Sequence, residues 1–172
     1  MSLQAVTVIG HDRPGIIADV TAGLADLGLN IEDSSMTRLR GHFAMTLICA
    51  GGRSPAEVER ALAPVAADGS LLVSVREVPP EPDPEQSGTA YVLTVHGGDR
   101  PGIVSAVTRV VAEANGNITD LTTRLTGDLY LLVAEVDLPE GVDKTALGER
   151  LAVTGRDLGV GVTLRPQDTD VL

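Results

Sequence analysis

Apolar positions along this chain follow two periods, and the periods alternate in an order that is laid down twice. Residues 3 to 9 and 89 to 96 are short runs rich in Val, Leu and Thr, the pattern of strands. Each run is followed by apolar positions at helical spacing: Ile17, Val20, Leu24 and Leu27 in the first case, Val104, Val107, Val111 and Ala114 in the second. Pro14 and Pro101 suit the first helical position, where no backbone N–H is needed, and Gly28 and Asn115-Gly116 supply the stops. Residues 30 to 39 and 42 to 50 read as a hairpin about Arg40-Gly41, and residues 117 to 126 and 128 to 137 as another about Gly127-Asp128. Ser54-Pro55 opens a second helix to about Asp68, and Asp143 caps its counterpart to about Leu158. Leu71 to Val78 and Val160 to Leu164 are the last strands. The order in each half is β-α-β-β-α-β, which predicts an α+β chain of two ferredoxin-like domains in tandem.

The halves also agree letter by letter. Asp12-Arg13-Pro14-Gly15-Ile16 returns as Asp99-Arg100-Pro101-Gly102-Ile103, an offset of 87, and residues 5 to 33 match residues 92 to 120 at 14 of 29 positions. So long a period marks duplicated domains rather than a stacking repeat. Farther on the letters align at an offset of 86, pairing Thr37-Arg38-Leu39 with Thr123-Arg124-Leu125 and Gly41 with Gly127, which predicts a β-bulge in the first copy alone. The expected division is a domain over residues 1 to 78, a Pro-rich acidic linker over 79 to 88, a domain over 89 to 164 and a frayed tail over 165 to 172.

Composition narrows the function. With 43% hydrophobic residues but only 2% aromatic, the two cores must be aliphatic. The net charge of −11 comes without a basic patch, which argues against direct nucleic-acid binding. A single cysteine, Cys49, excludes an internal disulfide and reads as a small core hydrophobe. The amino terminus has no secretory pattern and no apolar run is long enough for a bilayer, so the expectation is a cytoplasmic protein with no membrane contact.

A four-stranded sheet with both helices on one side leaves its other face bare. In the third strands, Phe43, Met45 and Leu47 alternate with Ala44, Thr46 and Ile48, and Leu129, Leu131 and Val133 with Tyr130, Leu132 and Ala134, so both faces are largely apolar. A solvated face reads polar, and the bare one therefore needs a cover: the other domain or a second copy of the chain.

The duplicated corner is where chemistry is expected. A helix N-terminus presents unpaired N–H groups and the positive end of the helix dipole, which suits a carboxylate. Gly15 and Gly102 lack a Cβ that would hold a ligand away, and Asp12 and Asp99 can either cap the turn or meet an ammonium group. Arg13 and Arg100 can bind an anion, bind a neighbouring acid or stand in solvent. Asn30 and Asn117 are expected to enter the next strand on the same edge of the sheet, completing a set of groups suited to a zwitterion. The structural alternative, in which Pro and Gly start a helix, Asp caps it and Asn makes a turn, remains open at this point. His11 aligns with Gly98, so two such sites need not be alike.

Asp-Arg-Pro-Gly-Ile after a strand, Asn-Ile about fifteen residues on and then a hairpin resemble the ACT domain, a regulatory module that commonly binds amino acids. The tandem layout resembles that of the glycine cleavage system transcriptional repressor family. This resemblance implies a homo-oligomer, a dimer, with a small-molecule amino acid effector at interfaces between ACT units and a possible protein partner, and no enzyme activity or cofactor. Carried over, it marks His11, Asp12, Arg13, Pro14, Gly15, Ile16, Asn30 and Ile31, and Asp99, Arg100, Pro101, Gly102, Ile103, Asn117 and Ile118. It also implies that a copy can serve only as an assembly surface.

Two other classes share this element order. An acylphosphatase would place an arginine-bearing phosphate loop at the corner, but the loop here is short and interrupted by Pro14, and no partner asparagine is found in the glycine-flanked context of that family. The histidines, His11, His42 and His96, lack metal-ligand spacing, and no Ser-His-Asp or Cys-His arrangement can be picked out. An RNA-recognition module needs several aromatics on the bare face, where this chain offers Phe43 and Tyr130 singly.

Overall fold

The computed structural model describes residues 2–80 and 88–167. Most of the expected linker, residues 81–87, and the end of the expected tail, residues 168–172, lie outside them. The chain divides into two compact units, residues 1–82 and 83–172. In the first, β1 (Ser2–His11), α1 (Ile16–Asp26), β2 (Asn30–Leu39), β3 (His42–Gly51), α2 (Pro55–Leu62), a 3-10 turn (Ala63–Ala66) and β4 (Leu71–Val78) build an antiparallel sheet of order β2-β3-β1-β4. In the second, β5 (Thr89–Gly98), α3 (Ile103–Glu113), β6 (Asn117–Thr126), β7 (Leu129–Leu138), α4 (Lys144–Leu158) and β8 (Val160–Pro166) repeat it as β6-β7-β5-β8. The last strand takes in Arg165 and Pro166, which pair with Val92 and Tyr91, so the frayed tail does not begin at 165.

Each sheet buries one face under its two helices. Val6, Val8, Leu47 and Cys49 meet Val20, Leu24, Val58 and Leu62 in the first core; Leu93, Val95, Leu132 and Val136 meet Val107, Val111, Leu147 and Leu151 in the second. Full burial of such an aliphatic side chain stabilises by about 1.5–3 kcal/mol. The helix stripes are rotated by one residue from the sequence expectation. Ile16 and Ile103 are buried, whereas Ile17 and Val104 are 42% and 37% exposed, because the inward rows step back four residues from Val20 and Val107.

Local chemistry ends each helix. Gly28 (φ 71°) and Asn115 (φ 56°) adopt the left-handed conformation after α1 and α3, and the paired bonds Gly28 N–H to Ala25 O, 2.8 Å, and Leu29 N–H to Leu24 O, 3.1 Å, close the last turn. Ser54 and Glu57 form a reciprocal capping box at α2. The expected continuation to Asp68 as α-helix fails at Pro64, where the chain tightens into the 3-10 turn. Hydrogen bonds from Ser54 and Ser70 hold the carboxyls of Glu57 and Asp68 below the ordinary carboxylate range. What these bonds contribute is present above that range and is lost as pH falls through the lowered values.

Register corrects the repeat. Both copies carry the bulge, between Ile31 and Asp33 and between Ile118 and Asp120, and the hairpins superpose at an offset of 87 throughout. The offset of 86 is a coincidence of turn chemistry. Arg40 and Gly41 both have positive φ (49° and 83°), a type I′ pattern, whereas only the first residue does in Gly127-Asp128, where Gly127 has φ 60°, a type II′ pattern. Glycine is therefore needed second in one turn and first in the other. The true counterpart of Arg38 is Leu125.

The helix-free faces are apolar and exposed. Leu72 is 65% and Leu129 56% exposed, with Ile9 and Leu39 in the first unit and Leu131 and Val133 in the second also open. Phe43, Met45 and Leu47 lie on the covered side.

Gly10 has φ 154°, and a Cβ there would stand 2.1 Å from the Ser70 carbonyl oxygen, which accepts the His11 N–H at 2.9 Å. Gly10→Ala is expected to destabilise the first unit by upwards of about 2 kcal/mol in urea unfolding. At Gly97 the obstruction is 2.9 Å from a Val160 methyl, so Gly97→Ala should cost less.

Candidate functional site

The duplicated motif forms a turn before the helix rather than its first turn. Gly15 (φ 90°, ψ −7°) and Gly102 (φ 92°, ψ −6°) take the third position of a type II turn, with Pro14 and Pro101 in the second, and α1 and α3 begin one residue later. The prolines are therefore not at the first helical position. A Cβ at Gly102 would meet nothing within 4 Å, and one at Gly15 only Asp19 Oδ2 at 3.9 Å, so backbone conformation is what demands glycine.

No side chain caps either helix. The first helical bonds are Asp19 N–H to Gly15 O and Ala106 N–H to Gly102 O, both 2.9 Å, which leaves the preceding amides of each helix open to an anion. Asp12 does not cap: its Oδ2 pairs with Arg38 Nη1 at 3.5 Å. Arg13 turns inward, donating from Nη2 to Val65 O at 3.1 Å, at the end of the second helical segment, and standing 3.5 Å from Asp19 Oδ2. Arg100 lies in the corresponding place. A Cβ at Gly159, the residue ending α4, would be 3.5 Å from its guanidinium carbon. Both arginines thus sit at the carbonyl end of a helix, where a cation is favoured.

The corners are nevertheless unequal. The 87-residue offset replaces Asp19 by Ala106 and Arg38 by Leu125, and among the described residues neither Asp99 nor Arg100 makes an ion pair or side-chain hydrogen bond. Neither Asp19 nor Arg38 was singled out in the sequence; the false register of the second hairpin hid Arg38.

Topology also moves the asparagines. The corner follows the C-terminal end of β1, beside His42, whereas Asn30 opposes Ala50, which opposes Leu3 at the other end of that strand. Helix α1, with 11 residues and about 16 Å at 1.5 Å per residue, separates the two groups. The expectation of a shared sheet edge is therefore wrong, and turn, acid and amide do not converge within a single copy. Asn30 and Asn117 are exposed, Ile31 and Ile118 half-buried, and Ile16 and Ile103 buried.

In the second copy an open groove lies beside the asparagine. It runs along α3 past Ser105, Thr108, Arg109 and Ala112 to Gly116, Asn117 and Ile118, with a volume of ≈ 510 Å³. A Cβ at Gly116 would come within 2.8 Å of Val111 Cγ1 and 2.9 Å of Leu138 Cδ2, both core side chains, so glycine here is a requirement of core packing. At the positions of Ser105, Arg109 and Gly116 the first copy has Ala18, Ala22 and Leu29, so it lacks the serine and the arginine, and Leu29 packs into the first core. Ser105 and Arg109 also escaped the sequence reading, since they fall where the copies differ.

Other candidate groups carry little. Burial, with Glu32 nearby, pushes the Cys49 thiol up, as expected of a core residue. Among the described residues no cluster of three or more His, Cys, Asp or Glu is placed to hold a metal, and no helix is long and apolar enough to cross a membrane.

Two family models described as ACT domain match the chain, over residues 4–76 and 91–150. A UPF0237 protein of Methanopyrus kandleri is 43% identical over 81 residues, 46% of this chain and 90% of that protein. The glycine cleavage system transcriptional repressor of Escherichia coli is 27% identical over 120 residues, 69% of this chain and 63% of the repressor. Among solved structures, an unknown protein from Galdieria sulphuraria superposes with a TM-score of 0.78 at 28% identity, over 96% of this chain and 98% of that one.

Arg13→Ala, which breaks a hydrogen bond to a helix end and an ion pair, should cost about 1 kcal/mol. Arg100→Ala should cost roughly half that or less. Melting temperatures of the two variants test the order; equal losses would mean that the arginines are equally engaged.

Proposed function

Because the chain belongs to the ACT-domain family, with two such domains in tandem, we propose that it is an amino-acid-responsive regulatory protein whose effector binds at the second domain. The observation that carries this reading is the groove along α3, which a guanidinium, an amide and two hydroxyls line together. Arg109 would take the effector's carboxylate, Asn117 would hold its polar atoms from below, and the free amides at the start of α3 offer a second anion position near Ser105. In the first domain Ala18 and Ala22 stand in place of Ser105 and Arg109, and its corner is occupied by its own ion pairs. That domain is read as the assembly copy.

Regulation follows if the effector binds one arrangement of domains or subunits better than another, since only differential affinity moves an equilibrium. The exposed apolar sheet faces fit a dimer, and the lack of a basic patch fits action through a protein partner rather than by contact with DNA. The likeness to the glycine cleavage repressor suggests glycine or one-carbon metabolism, or another branch of amino-acid metabolism, as the target. A second reading, a tandem assembly module that binds no ligand, draws on the same exposed faces and the closed first corner.

A thermal-shift panel of the common amino acids separates these readings. At a hundredfold excess over Kd a ligand stabilises by about 2.7 kcal/mol, so at least one amino acid should raise the melting temperature. Arg109→Ala and Asn117→Ala should each remove the response, and Asn30→Ala should leave it intact. No response to any amino acid would favour the assembly module.

A further inference from the structure

The first sheet brings together two histidines that lie 31 positions apart in the sequence. His11, the last residue of β1, stands directly opposite His42, the first of β3. Asp12 N–H donates to Gly41 O at 3.3 Å, the bond that flanks a non-hydrogen-bonded antiparallel pair. In such a pair the Cα atoms are about 4.5 Å apart and the side chains lean together on one face. That face is the helix-free one, and both residues are exposed. The type I′ turn at Arg40-Gly41, immediately before His42, pins the register.

We propose that His11 and His42 form a two-imidazole site for a divalent first-row transition ion of the Zn²⁺, Ni²⁺ or Cu²⁺ class. Metal–imidazole bonds of about 2.0–2.1 Å fit between side chains rising in parallel from opposed positions on adjacent strands. Imidazole selects these ions over Mg²⁺ and Ca²⁺, which take oxygen donors. The donors number two, so the remaining coordination positions are open to water or to a chelating small molecule. Ile9, half-buried Ala44 and Leu39 adjoin the pair on the same face, giving it an apolar surround. The second sheet supplies a built-in reference: the equivalent pair is Gly98 opposite Leu129, which has no donor atom. A side chain fits there, since a Cβ at Gly98 would meet nothing within 4 Å.

Calorimetric titration of the tag-free full chain with Ni²⁺ and Zn²⁺ tests the site. The expected result is one ion per chain, with Mg²⁺ giving no heat of binding. His11→Gln and His42→Gln should each weaken binding at least tenfold, and His96→Gln should leave it unchanged. Gly98→His combined with Leu129→His should raise the stoichiometry from one to two. The proposal is overturned if no ion binds at millimolar concentration, if His11→Gln and His42→Gln bind as the parent does, or if His96→Gln removes the site. A grafted pair that fails to bind while the native pair binds would also contradict it, because opposed register would then be insufficient to make a site.

Discussion

The pairing of the central strand with the second strand of the hairpin, β1 with β3 and β5 with β7, decides nearly everything else in each domain. An antiparallel ladder allows no partial adjustment: a slip of one residue turns every side chain to the other face. In this register Phe43, Met45 and Leu47 enter the first core, and Leu132, Ala134 and Val136 the second. The same ladder places His11 against His42, and puts the Asp-Arg-Pro-Gly corner at one end of the sheet and Asn30 at the other.

On that common scaffold the domains have diverged by a few substitutions with large local effects. Asp19 and Arg38 supply ion pairs to the first corner, and Ala18 and Ala22 give its first helix no polar group at those positions. The second domain has Ala106 and Leu125 in place of the pairing residues, so that among the described residues Asp99 makes no ion pair, and Ser105 and Arg109 line a groove along its first helix. Exposed ion pairs are individually worth about 0–1 kcal/mol. Their importance here is chemical, because a paired Asp12 is less available to a ligand than an unpaired Asp99. The duplicated motif thus carries a shared structural task, a type II turn and an arginine at a helix end, with differences around it that separate the two copies.

Local physics was legible in the sequence. Ser54 and Asp143 announce their helices because a cap is a contact within four residues, and Gly28 and Asn115 announce the ends for the same reason. Long-range register was not. The letters Thr-Arg-Leu repeat at one offset while the strands superpose at another, since a turn's demand for glycine at its first or second position shifts identity without shifting structure. This hid Arg38 and invented a bulge confined to one copy. Proline was misjudged because a type II turn and a helix start both welcome it, and only the backbone angles of Gly15 and Gly102 distinguish them. Arg109 and Ser105 were invisible to a search for what the copies share, although Thr108, Ala112, Asn117 and Ile118 in the same groove are shared.

On the proposed function the second domain is the ligand-binding copy and the first is not. Amide correlation spectra of the full chain, recorded while each common amino acid is titrated in, address it residue by residue. The account predicts, for at least one amino acid, saturable shifts at Ser105, Arg109, Gly116 and Asn117, with Ala18, Ala22, Leu29 and Asn30 unmoved. Equal or larger shifts at the first-domain positions, or none at the second-domain groove with any amino acid, would contradict it.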